Sequence, residues 1–156
     1  MFTLNTLYFN GDENKDNKDV DILAIDPFNN IAWDCEVKLR TGTSRILEGS
    51  NKKTIGFLKF VEDYLYPDRK RVILEKIPES YIIEKVFITT SNFFGTSKEN
   101  QKKWKNRFKE HDITVIFFEI IMEDLNQFAI KSKISSDEII QTIRLQNLYT
   151  NKHKTL

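Results

Sequence analysis

Residues 19–40 read DVDILAIDPFNNIAWDCEVKLR, two β-rich runs joined by Pro27-Phe28-Asn29-Asn30. The tetrapeptide has the composition of a turn, so the segment predicts an antiparallel hairpin over 19–26 and 31–40. Side chains on a strand alternate between faces. In the second run Ile31, Trp33, Cys35, Val37 and Leu39 point one way, and Ala32, Asp34, Glu36, Lys38 and Arg40 the other. The first set is expected to face a core. The second presents acid, acid, base, base in a row, with Glu36 and Lys38 neighbours about 7 Å apart by strand rise. In the first run Asp21 interrupts an apolar stretch, where an aspartate needs a partner or a role. Hairpin pairing brings Asp21 beside Glu36 on one face, and a register slip would put Asp19 in its place.

Outward from the hairpin, residues 2–9, FTLNTLYF, read as a further strand, separated from it by the polar loop GDENKDNK at 11–18. The three strands make a meander. Lys53 to Tyr66 reads as a helix, with Ile55, Leu58, Val61 and Leu65 at three- and four-residue spacing and Pro67 ending it. Residues 69–79 fit either a short helix or a strand. Glu84–Ser91 is a predicted strand, Ser97–Glu110 a helix, and the apolar run Ile113–Ile121, ITVIFFEII, a strand buried on both faces. Ser135 and Glu138 form a capping box for a final helix over about 135–149. The order βββαβαβα predicts an α/β fold, a mixed sheet with helices on both sides.

The chain has 156 residues, 40% hydrophobic and 12% aromatic, which suits one domain spanning 1–156 with its core over about 2–121. No apolar run reaches the roughly 18–20 residues that cross a bilayer, and Met1–Asn10 lacks the features of a secretory signal. One cysteine makes no internal disulfide, and two histidines make no histidine-rich metal site. A soluble, cytoplasmic protein is therefore expected, with any metal held by oxygen. The net charge of +1 hides an asymmetry. Residues 12–26 hold six acids against Lys15 and Lys18, and residues 98–109 hold Lys98, Lys102, Lys103, Lys105, Arg107 and Lys109 against Glu99. Such poles suit a protein that holds a cation at one place and phosphates at another. They equally suit an ordinary charged surface.

Acid-x-Lys occurs four times: Glu13/Lys15, Asp16/Lys18, Glu36/Lys38 and Asp68/Lys70. Only Glu36/Lys38 lies on a strand backed by an apolar face. Asp21 and Glu36 are hard oxygen donors of the kind that bind Mg²⁺ together with waters and a substrate phosphate. A bound Mg²⁺ acidifies water and neutralises charge developing at phosphorus. Lys38 could orient the attacking water or stabilise that charge. The chemistry expected of such a trio is metal-assisted hydrolysis of a phosphodiester.

This arrangement resembles the PD-(D/E)XK nuclease superfamily. The matching residues are Asp21 within VDILAID, then Glu36-Val37-Lys38 within WDCEVKLRTG. The stretch EKVFITTSNFFGTSKENQKKWKNRFKEHDITVIFFE is similar to the Mrr-like restriction-endonuclease branch, in which a strand ending Thr-Thr-Ser precedes a helix and another strand. The resemblance spans about 19–121. It implies a restriction-endonuclease-like sheet and a DNA endonuclease using Mg²⁺, with Mn²⁺ able to substitute. Asp21, Glu36 and the Val37 carbonyl would hold the metal, and Lys38 would be the catalytic lysine. Val20 stands where the name motif has proline, a common variation. Such nucleases usually begin with a helix, often bearing another acid, whereas the first strand expected in this chain starts almost at Met1. The helix is then absent, lost with another domain, or supplied by a partner chain. Cutting both strands of a duplex needs two sites, which suits a homodimer.

Plainer readings stand beside these. Glu36 and Lys38 also fit an incidental ion pair on a solvated face, and Asp34 and Arg40 fit flanking surface charge. Trp104 and Phe108 would dock the helix over 97–110, while Lys98, Lys102, Lys105 and Lys109 line another face. That stripe suits phosphate contacts, or mere solubility. Thr89, Thr90 and Ser91 close a strand and could touch phosphate, or simply form a turn. Cys35 reads as core. The alternatives to a nuclease are a catalytically inactive DNA-binding or partner-assembly module and a protein-interaction domain.

Overall fold

A computed structural model describes residues 5–7, 20–40, 56–64, 67–131 and 138–153. The chain forms two compact units, Met1–Phe117 and Phe118–Leu156. In the first, β1 (Asn5–Leu7), β2 (Val20–Asp26), β3 (Ile31–Lys38), β4 (Ile82–Thr89) and β5 (Ile113–Phe117) form a sheet in the order β1-β2-β3-β4-β5. β1, β2 and β3 are antiparallel neighbours, and β3, β4 and β5 are parallel. The expected meander and mixed α/β sheet are both present. The predicted helix over 53–66 lies in α1 (Phe57–Tyr64), with residues 53–55 and 65–66 outside the described set. Pro67 opens α2 (Pro67–Leu74) as well as following α1, because proline's fixed φ suits a first helical position.

Asp26 shapes the β2–β3 turn. Its Oδ1 accepts the amides of Phe28 and Asn29, and its Oδ2 accepts the Asn29 side-chain amide at 2.7 Å. Asn30 then takes φ 54°, a left-handed conformation that asparagine tolerates. The Asn29 side chain, followed by the two backbone amides, holds the Asp26 carboxyl below its ordinary pKa against a desolvation effect of opposite sign.

The two faces of β3 are not covered as the alternation alone predicts. Ala32 is fully buried and Asp34 is 2% exposed, on the face expected to be polar, whereas Leu39 is 47% exposed. Paired residues share a face, so Leu23 and Ile25 of β2 and Ile83 and Phe87 of β4 lie with Ala32, Asp34 and Glu36. Onto this face pack Ile73 and Ile77 with Leu23 and Ala32, and Phe57, Phe60 and Val61 of α1 with Phe87. The helix α3 (Lys98–Lys109) adds Phe108 to the same cluster. Among the described residues of the first unit, α1, α2 and α3 thus share one face of the sheet. The crossovers β3-to-β4 and β4-to-β5 step the same way across the sheet, and right-handed connections then land on one side. Cys35, on the other face, is buried as expected.

The apolar run at 113–121 divides. β5 ends at Phe117 and α4 (Phe118–Lys131) begins at once, so Phe118–Ile121 are helical and not strand. No glycine, proline or polar cluster marks that junction, and an unbroken apolar run carries no signal of its own period. In the second unit α4 pairs with α5 (Glu138–His153) through Leu125, Ala129, Ile140 and Ile143. Arg144 Nε donates to the Ala129 carbonyl, and Asn147 Nδ2 donates to Asn126 Oδ1. Ser135 of the expected capping box lies outside the described residues. Among the described residues no helix is long and apolar enough to cross a membrane.

The depressed Asp26 pKa makes the turn's contribution pH-dependent. It is complete above the ordinary carboxylate value and is lost as pH falls through the lower folded value. Asp26→Ala is expected to lower Tm at neutral pH, with the deficit narrowing on acidification; thermal melts of both proteins across a pH series measure it.

Candidate active site at the carboxyl end of β3

Between Asn5 and Leu7 β1 takes two steps, and β2 takes three between their partners Leu23 and Val20. The extra residue is a β-bulge, which lets Val20 and Leu23 both enter one cluster. Asp21 sits on the bulge, immediately beyond the last β2–β3 pair, Ile22 with Cys35. There its Oδ2 accepts the Val37 amide at 2.6 Å. A carboxylate oxygen thus stands where a backbone carbonyl would continue the ladder. The aspartate that interrupts the apolar run therefore has a structural partner in the first residue past Glu36. The amide and carbonyl of an extended residue point to the same side, so the Val37 carbonyl is turned to the edge where Asp21 stands.

One residue further, Lys38 Nζ lies 2.6 Å from Glu36 Oε1. Their side chains are 34% and 15% exposed, so the pair sits at the lip of the helix-covered face. The Phe60 ring centroid is 5.7 Å from the ammonium, within cation–π range. Phe60 is itself held edge-on by Phe87 and Phe108. Burial along the face falls from Ala32 and Asp34 to Glu36 and Lys38; Ile73 of α2 packs with Leu23 and Ala32, and Phe60 of α1 reaches the Lys38 ammonium.

The next strand closes the same end. Thr89, fully buried, donates through Oγ1 to the Lys38 carbonyl at 2.7 Å, and Thr90 Oγ1 donates to the Arg40 carbonyl. Both hydroxyls bind backbone and tie β4 to the chain leaving β3. Ser91 opens a 3₁₀ turn, Ser91–Phe94, that seats Phe93 and Phe94 in the core.

Of the predicted trio, Asp21 is held on the Val37 amide and Glu36 is paired with Lys38, so the two contacts fall on neighbouring residues at the end of β3. The two residues that sequence reasoning underrated are Asp34 and Phe60. The burial of Asp34 follows from its pairing with Leu23, readable only once the hairpin register is known. Phe60 falls inside the helix predicted over 53–66, and nothing in that segment's sequence points to Lys38. Asp21 and Glu36 are hard donors, and with the Val37 carbonyl they fit a small divalent cation that keeps most of its waters. Among the described residues no three or more His, Cys, Asp or Glu stand together as a metal cluster.

On α3, Trp104 and Phe108 dock as predicted: Phe108 is fully buried, and Trp104 packs on Phe57 and Phe94. Lys98, Lys102 and Lys109 are exposed. Lys105 is half-buried, with its ammonium 3.9 Å from the Phe117 ring centroid.

No family model, curated protein or solved structure matches this chain.

Asp21→Ala removes the acceptor of the part-buried Val37 amide and is expected to cost about 1–3 kcal/mol. Asp21→Asn keeps an acceptor oxygen without the charge and should recover much of that loss. Urea unfolding of the three proteins measures the difference.

Proposed function

We propose that the chain is a metal-dependent nuclease that hydrolyses DNA phosphodiester bonds, acting as an endonuclease with Mg²⁺ or Mn²⁺. The observation that carries this reading is that the Asp21–Val37 amide bond and the Glu36–Lys38 ion pair lie on neighbouring residues at the carboxyl end of β3. Open α/β sheets place ligands beyond the carboxyl ends of their strands. In this sheet β3 is also where antiparallel pairing gives way to parallel. The meander followed by parallel strands supports a restriction-endonuclease-like fold, as the PD-(D/E)XK resemblance implies.

In this reading Asp21, Glu36 and the Val37 carbonyl hold the cation, which when bound acidifies water and offsets charge at phosphorus. Asp21 is oriented by the Val37 amide, which donates to its Oδ2. Lys38 brings a positive charge to where the scissile phosphate would sit. Its Glu36 partner and the Phe60 ring fix the ammonium at the lip. The water oxygen bonds to phosphorus, one ester P–O bond breaks, and a proton ends on the leaving oxygen. Lys98, Lys102, Lys105 and Lys109 would supply sequence-independent contacts to phosphates. A homodimer, or a partner chain bringing the helix that related nucleases begin with, would complete double-strand cleavage.

One observation favours a second reading, a DNA-binding or partner-assembly module that does not cut. Asp21 and Glu36 each already hold an internal partner, an amide and an ammonium. Such a module would bind DNA in a salt-sensitive manner without needing a divalent cation.

Cleavage of supercoiled plasmid and branched DNA with Mg²⁺, Mn²⁺ or EDTA separates the two. Wild type should nick in either metal and not in EDTA, and Lys38→Ala should lose at least about 100-fold in rate. Equal DNA binding by both proteins, with cutting by neither, would establish the module.

A further inference from the structure

The end of the sheet carries a second ammonium that the catalytic trio does not use. Lys38, Thr89 and Phe117 are paired in one row across β3, β4 and β5, on the face that the helices cover. Lys105 reaches this row from α3, its ammonium 3.9 Å from the Phe117 ring centroid. Strands lie about 4.8 Å apart, so Phe117 stands roughly 10 Å along the row from Lys38. Single-strand phosphates recur about every 3.4 Å of helix rise. Lys105 is therefore within about three nucleotides of a phosphate at Lys38.

The direction of α3 sorts its other lysines. The helix starts just after the carboxyl end of β4, and Gln101 Nε2 donates to the Gly95 carbonyl to tether that start. It must return the chain to the amino end of β5, since β4 and β5 are parallel. The Asp112 amide donates to the Lys109 carbonyl, and β5 begins at the next residue, so Lys109 lies at the far end of the sheet. Lys98 and Lys109 are eleven residues apart, about 16 Å along the axis. Charge follows the same division. Exposed Glu110 and Asp112 flank Lys109, whereas Glu99 is the sole acid among residues 98–109 and lies near Lys98 and Lys102.

We propose that the polynucleotide strand crosses the carboxyl ends of β3, β4 and β5 and meets α3 between Lys98 and Lys105. Lys105, Lys102 and Lys98 then take successive phosphates flanking the site, and Lys109 takes none. This rests on the nucleic-acid reading of the site and divides a stripe that the sequence presents as uniform. Phe117 is the positioning residue of the path, because its ring holds the Lys105 ammonium at the level of Lys38.

The test is binding of a short fluorescein-labelled DNA duplex across a salt series, in EDTA, so that no cleavage enters the readout. Each lost phosphate contact lowers the slope of log affinity against log salt by about one. Lys98→Ala/Lys102→Ala should lower it by about two and Lys105→Ala by about one, while Lys109→Ala leaves it unchanged. Melting temperatures check that the variants fold. A fall with Lys109→Ala equal to the others, or no fall with any variant, would overturn the path while leaving DNA binding in place. Absence of binding by wild type would overturn the path and the nucleic-acid reading together. The expected slopes in a protein that never cuts would support the path and refute only the catalysis.

Discussion

The Val37 amide donates to the Asp21 carboxylate and the next carbonyl, that of Lys38, accepts from Thr89. Consecutive backbone groups at the end of β3 are thus held by side chains from the strands on either side. A backbone ladder alone would let this end fray, because β2 begins at Val20 and β4 ends at Thr89. Unpaired strand ends are wet and mobile. Fixing this one by a charged and a neutral side chain keeps Glu36 and Lys38 in register with their neighbours. It also makes the aspartate serve twice, since the group that closes the ladder is one of two carboxylates in the candidate site.

The helices explain why the site is a lip and not a buried pocket. Both crossovers land on the face that carries Ala32, Asp34, Glu36 and Lys38, and the aromatic cluster of Phe57, Phe60, Phe87, Phe93, Phe94 and Phe108 fills it. Edge-to-face ring pairs among them favour a fixed arrangement over a sliding one. The cluster runs up to the end of the sheet and meets water at its two ammonium groups. Lys38 lies over Phe60 and Lys105 over Phe117, so apolar rings orient the cations that border the site. A cation over an aromatic face keeps its charge and loses freedom, which suits groups that must meet a phosphate at one place.

Much of this was legible in the sequence. The hairpin, the meander, the α3 docking residues and the placement of Glu36 and Lys38 as neighbours on one face all follow from strand and helix periodicity and turn composition. The faces of β3 were misjudged because a pattern of alternation says which residues share a side, never which side is covered. That depends on where Leu23, Ile25 and Phe87 point, and hence on pairing register between distant segments. The bulge at Asp21 was invisible for a related reason: it exists only as a mismatch of step count against β1. α4 was hidden because strand and helix meet inside one apolar run without a breaker between Phe117 and Phe118.

The internal partners of Asp21 and Glu36 bear differently on whether the site can take a cation. Asp21 gives Oδ2 to an amide, and a carboxylate oxygen can accept an amide while also ligating a cation, so the two contacts are chemically compatible. Glu36 is otherwise placed, because its Oε1 faces an ammonium 2.6 Å away and two cations repel at close range. A cation that takes Glu36 would weaken the grip of Glu36 on Lys38 and turn the ammonium outward, toward an incoming anion. Phe60 would still lie beneath it. In the nuclease reading the ion pair and the metal site would be two states of one set of groups, and substrate phosphate, by adding negative charge, would favour the second. In that reading the Glu36–Lys38 ion pair is the metal-free state of the site, and a divalent cation would open it.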